Sequence, residues 1–266
     1  MSIEQIIVLA IVQGISEFLP ISSSGHLILI PAVTGWPDQG LATDIMVHIG
    51  SLFAIIVYFW RDVGRLLKGL GDLVRFSLTD NARLALYIIL ATIPAVIFAL
   101  ILKKTGFLEQ VRGAEIVGWN AIIFGILLYL TDKFGSRFKT IADMRLAPAI
   151  MIGCAQALAL IPGTSRSGIT ISAARALGFE RSESARFSFL LGMPAIAGAG
   201  VLTLYEFYKS DETIPPETLI TAGLSFLASL AAITFLMALV KRMSFLPFVL
   251  YRLALGAVLL GWVYFY

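Results

Sequence analysis

Apolar residues in this chain gather into long blocks, not into the narrow stripes of a soluble helical protein. Charge-free or nearly charge-free stretches run over 45–60, 84–102, 116–131, 187–205 and 218–240, with 245–266 interrupted only by Arg252. About 20 apolar residues in helix cross a bilayer, so the pattern predicts six transmembrane helices. Two further apolar regions, 3–33 and 146–177, carry polar loops at their middle, Ser22-Ser23-Ser24-Gly25-His26 and Ser165-Arg166-Ser167-Gly168. Pro20, and Pro162 with Gly163, break any continuous helix there. Each region reads as a helix, loop, helix hairpin that enters the membrane and turns back, which is tolerated only where the loop is buried in protein or lines a wet cavity.

The two loops lie 143 residues apart, and at that offset Gln13 falls on Gln156. The halves share one plan, a hairpin followed by three spans, and because three is odd the second half must be inserted upside down relative to the first. The expected fold is therefore an all-α integral membrane protein built as an inverted-topology repeat, with six transmembrane helices plus two re-entrant helix-loop-helix hairpins. Residues 1–133 form the first repeat, with hairpin 3–33, and 134–266 the second, with hairpin 146–177, in one membrane domain. Segments 61–83, 131–186 and 241–246 hold fifteen Lys and Arg against four in 1–45, 103–113 and 209–216, which puts the first set in the cytoplasm. Both termini then face outward, and the hairpins dip in from opposite sides to meet. The alternative is eight spans, because 146–165 is long enough to cross.

Composition narrows the class. Of 266 residues, 58% are hydrophobic and 14% charged, where a soluble domain has roughly 25% charged. The net charge of +3 comes from loop residues, which speaks to topology and lipid headgroups and gives no reason to expect nucleic acid. The single cysteine, Cys154, allows no intramolecular disulfide and reads as packing. The first residues, without a basic stretch or a small-residue cleavage site, do not resemble a removable signal peptide.

The candidate chemistry sits in the hairpins. Gln13 and Glu17, four apart on an apolar helix, project from one face toward the Ser22–His26 loop. An intramembrane carboxylate is a functional-site hypothesis by default; the plainer readings are that Glu17 pairs with Arg166 or caps a helix, and that Gln13 bonds across the hairpin. Ser22, Ser23, Ser24 and Gly25 lead into one helix, and Ser165, Arg166, Ser167 and Gly168 into another. Free N–H groups, the helix dipole and serine hydroxyls make such starts anion sites, and Arg166 adds a planar fork for phosphate oxygens. Two of them facing each other favour an anion with two charged groups, and diphosphate fits. His26 is a candidate acid, base or nucleophile; His48, in a span without polar company, reads as structural. Thr170 either donates to the same phosphate or bonds back into its helix. Arg175, Arg181, Arg186, Glu180 and Glu183 read as solvated interface residues, and Trp36, Trp60, Trp262 and Tyr264 as an aromatic belt.

The run Gln13-Gly14-Ile15-Ser16-Glu17-Phe18-Leu19-Pro20-Ile21-Ser22-Ser23-Ser24-Gly25-His26, with Pro162-Gly163-Thr164-Ser165-Arg166-Ser167-Gly168-Ile169-Thr170, closely resembles the bacterial undecaprenyl-diphosphatase family, also called bacitracin resistance proteins, over nearly the whole chain. The resemblance implies hydrolysis of undecaprenyl diphosphate to undecaprenyl phosphate and inorganic phosphate, in an inner (plasma) membrane protein opening to the periplasm and dependent on a divalent cation, Mg²⁺ or Ca²⁺. It places Glu17, Ser22, Ser23, His26, Ser165, Arg166 and Thr170 at the family's functional positions. Gln13 stands where some members have glutamate, so one carboxylate, Glu17, with Gln13 beside it and substrate phosphates would hold the metal. Catalysis then falls to Glu17, His26, Ser23, Ser165 and Arg166, and diphosphate binding to Ser22, Ser24, Gly25, Arg166, Ser167, Gly168 and Thr170. The acceptor is either a serine, with His26 or Glu17 as base, or water activated by His26. A homodimer is compatible with the family, and a transporter or flippase for an anionic isoprenoid lipid is the rival reading, because inverted repeats with half-helices meeting at an anion also build transporters.

Overall fold

In a computed structural model, residues 2–37, 40–107, 111, 113–210 and 216–265 are described. Among them there is no strand, only an isolated bridge between Lys139 and Phe179. The helices are α1 (Ile3–Phe18), α2 (Ser23–Thr34), α3 (Gly40–Tyr58), α4 (Trp60–Val74), α5 (Asp80–Thr105), α6 (Ala114–Phe134), α7 (Leu146–Leu158), α8 (Arg166–Ala176), α9 (Arg181–Ser210), α10 (Pro216–Leu239) and α11 (Leu246–Phe265), with a 3₁₀ turn at Ile141–Asp143. Five of these, α5, α6, α9, α10 and α11, are long and apolar enough to cross a membrane alone. A sixth, α3, passes the same test together with α4, from which it is bent by 91° at a short break. The apolar blocks at 84–102, 116–131 and 187–205 each fall inside one long helix, 218–240 and the described part of 245–266 overrun α10 and α11 by one residue, and 45–60 runs through α3 and the break at Phe59 to the first residue of α4.

The regions with polar loops are each split in two. α7 ends at Leu158 after 13 residues, only about 20 Å of helix, too short to cross about 30 Å of hydrocarbon. The stretch 146–165 is therefore not one continuous helix of spanning length. Start and stop signals are local: Ser2 Oγ accepts from Gln5 N at 3.1 Å to open α1, Thr79 Oγ1 accepts from Ala82 N at 3.2 Å to open α5, and Gly35 and Gly106 close α2 and α5 in the left-handed conformation.

Packing pairs elements of opposite halves. α1 lies on α10 and α7 lies on α5; α3 lies on α10 and α9 on α5; α6 packs on α11 and α3 on α9. Small residues permit this closeness, as helix pairs in lipid require. A Cβ on Gly14 would come within 2.5 Å of Ala228 Cβ on α10, and one on Gly153 of α7 would collide with the Ala91 carbonyl of α5. The core beneath the hairpins is aromatic, with Phe18, Phe59, Phe179, Phe187, Phe189 and Phe245 buried.

Ion pairs correct part of the sequence reading. Arg175 is wholly buried, not solvated: its Nε donates to Asp132 Oδ1 at 3.1 Å and its other nitrogens to the carbonyls of Asp132, Gly135, Ser136 and Phe179. Arg181 takes both oxygens of the same Asp132, at 2.7 and 3.0 Å. Arg186 reaches back to Asp62 of α4 with a forked pair of bonds. A basic edge that reads as solvated is folded inward because α6, α8 and α9 meet there and one carboxylate serves two guanidinium groups. Cys154, expected to pack, is exposed on α7.

Candidate functional site

The two loops have the same backbone. Ser22 has φ 78° and ψ 95°, and Ser165, 143 residues later, has φ 71° and ψ 113°. Among the described residues only three non-glycines have positive φ, and these serines are two of them. Such a conformation costs on the order of 1–3 kcal/mol and persists only where the surroundings enforce it. Each serine also caps the helix it opens: Ser22 Oγ accepts from Gly25 N at 3.4 Å and Ser165 Oγ from Gly168 N at 3.1 Å. Glycine at the capped position lets the helix start press closely, and a Cβ on Gly168 would meet Arg252 Nη1 at 3.1 Å.

Arg252 is what enforces the loops. Its Nη1 donates to Pro20 O in the first loop at 3.2 Å and to Thr164 O in the second at 3.0 Å; Nη2 donates to Gly163 O and Asn120 O, each at 3.0 Å, and Nε to Ala121 O at 3.1 Å. One fully buried guanidinium thus holds carbonyls from both hairpins and from α6. Asn120 Nδ2 adds a bond to Pro162 O at 2.7 Å, and Ser167 Oγ one to Leu19 O at 3.1 Å. The sequence signal for Arg252 was its charge inside the last apolar span; its partners are carbonyls, which leave no mark in a sequence.

Glu17 is where the loops converge. Its Oε1 accepts from Arg166 Nη2 at 2.6 Å, and its Oε2 accepts from Ser23 Oγ at 2.7 Å and Gln13 Nε2 at 3.0 Å. His48 Nε2 stands 3.5 Å from the same Oε2, with Nδ1 on Asp44 O. His48 therefore has the polar company that the sequence reading denied it: α3 packs on α1 and turns it toward Glu17. Arg166 also donates to Ser188 O at 3.3 Å and lies along Gly192, where any Cβ would collide with the guanidinium.

Other expected residues take different positions. His26 donates from Nδ1 to Ser22 O at 2.7 Å, so Nε2 accepts from the Tyr251 hydroxyl at 2.6 Å, and the two rings stack 5.7 Å apart. Both its nitrogens are engaged, and neither bonds to Glu17 or Ser23. Ser165 and Ser167 are buried and 3.2 Å apart. Thr170 Oγ1, also buried, bonds back to Arg166 O at 2.7 Å and meets Ser188 Oγ at 2.7 Å. Ser24 is exposed and Ser23, His26 and Arg166 are part-exposed, so the cluster is accessible on this side.

Among the described residues the carboxylate's polar neighbours are three nitrogens, of Arg166, Gln13 and His48, and one oxygen, Ser23 Oγ. Glu17 Oε2 and Ser23 Oγ are oxygens in contact, and Gln13, which turns Nε2 to the carboxylate, keeps its Oε1 buried without a partner as a third oxygen of the same cluster. That set suits a hard divalent cation which takes its remaining ligands from water or phosphate. Among the described residues no group of three or more His, Cys, Asp or Glu could hold a metal alone, so substrate oxygens would have to complete the shell.

Several membrane-length apolar helices around a buried carboxylate–guanidinium pair, set between two hydroxyl-lined helix starts, define a multi-pass helical membrane protein with a polar centre. The chain belongs to the bacitracin resistance protein BacA family, which it matches over residues 6–258. It is similar to proteins named undecaprenyl-diphosphatase from Ruegeria pomeroyi, at 47% identity over 99% of this chain and 100% of that protein. It is similar to proteins of the same name from Jannaschia sp., at 48% over 98% of each, and Erythrobacter litoralis, at 46% over 98% of this chain and 99% of that protein.

Proposed function

We propose that this chain hydrolyses undecaprenyl diphosphate to undecaprenyl phosphate and inorganic phosphate, recycling the lipid carrier of peptidoglycan synthesis and so conferring bacitracin resistance. The observation that carries the reading is the shared carboxylate, with Arg166 on one Glu17 oxygen and the Ser23 hydroxyl on the other. Phosphoryl transfer asks a protein mainly for position and charge, and this cluster supplies both.

The isoprenoid tail stays in lipid, stabilised by about 0.8 kcal/mol per buried CH₂, and the diphosphate enters beside Ser23, Ser24 and Arg166. Arg166 exchanges Glu17 for the terminal phosphate, which frees the carboxylate to take the Ser23 proton. Ser23 Oγ bonds to the terminal phosphorus as the bridging P–O bond breaks, and undecaprenyl phosphate leaves with the electron pair. Water then hydrolyses the phosphoserine. The Ser23–Glu17 bond favours serine over water as acceptor, and His26, with both nitrogens engaged, is the residue that orders the loop. A divalent cation, Mg²⁺ or Ca²⁺, held by Glu17, Gln13 and Ser23 would supply charge neutralisation on the phosphate oxygens. Ser165, Ser167 and Thr170 brace the helix start that presents Arg166, with free N–H groups available to phosphate.

We read the architecture as six spans and two re-entrant hairpins in an inverted repeat. Support comes from the reciprocal helix pairs, α1–α10 with α7–α5 and α3–α10 with α9–α5, and from the matching Ser22 and Ser165 geometry. The charge distribution supports an inner-membrane protein with both termini and the site mouth on the periplasmic side. Replacing Glu17 or Arg166 by alanine should abolish phosphate release from a long-chain isoprenyl diphosphate without loss of membrane insertion. Near-normal turnover of either variant contradicts the assignment, and release by detergent-solubilised protein, without any gradient, separates a hydrolase from the transporter reading.

A further inference from the structure

Outside the site, α4 presents a second constellation that the proposed reaction does not use. At about 100° per residue, its positions sort into three faces. Asp62, Leu66 and Gly69 are buried against the protein, with Gly69 so close to the Asn81 carbonyl that no Cβ would fit. Leu67, Leu70 and Val74 form an exposed apolar face. Trp60, Arg61, Gly64, Arg65 and Lys68 form the third and, with Asn81 of α5, line a groove of about 480 Å³.

The groove is cationic. The Arg61 guanidinium lies 5.1 Å over the Trp60 ring, and Lys68 makes no ion pair or hydrogen bond among the described residues. Arg65 stands 3.8 Å from Asp62, but that carboxylate is already held by the Arg186 fork. Asp72, the other acid near this face, accepts from Thr79 Oγ1 at 2.6 Å, and Asp80 pairs with Arg83 at 4.0 Å. Gly64 has open space where a side chain would stand, so the groove floor is accessible. Because α4 turns 91° from the apolar α3, it lies across the direction of a span. Its apolar face then meets acyl chains at the depth where its basic face meets headgroups, as interfacial helices do.

We propose that this groove binds the headgroup of an anionic glycerophospholipid, with the phosphate between Arg61, Arg65 and Lys68, the glycerol against Trp60 and Asn81, and the acyl chains along Leu67, Leu70 and Val74. The three faces argue for a lipid over a free anion, because only a lipid satisfies the basic and the apolar face together.

The test uses the full chain in nanodiscs and reads Trp60 fluorescence as the difference between the unmodified protein and Trp60→Phe. Phosphatidylglycerol or phosphatidylcholine with brominated acyl chains serves as quencher. Each basic residue at a membrane surface is worth roughly fivefold in binding, so with three of them the brominated phosphatidylglycerol should quench at about a hundredth of the concentration needed for phosphatidylcholine. The triple variant Arg61→Gln, Arg65→Gln, Lys68→Gln should quench equally with both lipids; Lys68→Glu alone, which touches no packed neighbour, should lose most of the preference if the triple variant does not fold. Equal quenching of the unmodified protein by both lipids overturns the proposal, as does a preference that survives the substitutions. Loss of the preference on adding inorganic phosphate at matched concentration would make this a free-anion site and overturn it too.

Discussion

The loops around Ser22 and Ser165 share a backbone and share almost no chemistry. Both open a helix from a positive-φ serine that caps a glycine N–H, and both are held by Arg252. At the 143-residue offset Ser23 corresponds to Arg166, and these two side chains reach the two oxygens of Glu17. Glu17 itself corresponds to Leu160, and His26 to Ile169. The common part of the two loops is scaffold, which explains why it persists at a cost in strain. The part that differs carries the proposed reaction: a hydroxyl from one loop, a guanidinium from the other, and one carboxylate between them.

The largest break in this comparison is at Arg166. Arg166→Ala removes the clamp and leaves Glu17 buried beside Ser23, so turnover should fall by about 10³-fold or more, in line with losing a pre-organised donor to developing charge. Arg166→Lys should recover part of this, because a point charge replaces a fork; an inactive lysine variant with intact fold would show that fork geometry, not charge, is what matters. Both are checked by phosphate release at saturating substrate.

Arg252→Met should strike both loops together. It strands five carbonyls in an apolar interior, at a cost on the order of 3 kcal/mol or more, and thermal unfolding in detergent should show a midpoint several degrees lower. A variant as stable as the parent would mean that the loops hold their conformation unaided.

Equivalence of the scaffold is tested by Ser22→Ala and Ser165→Ala. Each loses one cap, about 1 kcal/mol, and the two losses in denaturation should agree. Ser22→Ala should also leave most activity if its role is capping, since Ser23 remains. The smallest effect is expected at Tyr251→Phe, which removes the hydroxyl from His26 Nε2 and frees one ring nitrogen; activity should change by less than about tenfold, below what removal of a working acid or base costs.

Much of this was legible in the sequence, and for a physical reason. Hydrocarbon excludes charge and irregular backbone, so spans 84–102 through 245–266, the breaks at Pro20 and Pro162, and the exceptional residues Glu17 and Arg166 all stand out against an apolar background. What was hidden lies in tertiary placement. His48 reads as isolated because its partner, Glu17, comes from another helix. Arg175 reads as solvated because Asp132, which it meets in the fold, is 43 residues away. The turn after Tyr58 was also missed: hydropathy runs continuously through 45–60, and only the basic residues that follow signal that α4 leaves the direction of α3.

The most direct measurement is phosphate release from undecaprenyl diphosphate by the purified protein in detergent, compared with Ser23→Ala, with acid-quenched samples searched for phosphoserine. The account predicts turnover in the parent, phosphate on Ser23 in the quenched parent, and a Ser23→Ala rate lower by up to about 10⁶-fold, the scale for loss of an activated serine nucleophile. A Ser23→Ala rate within a few fold of the parent would contradict it.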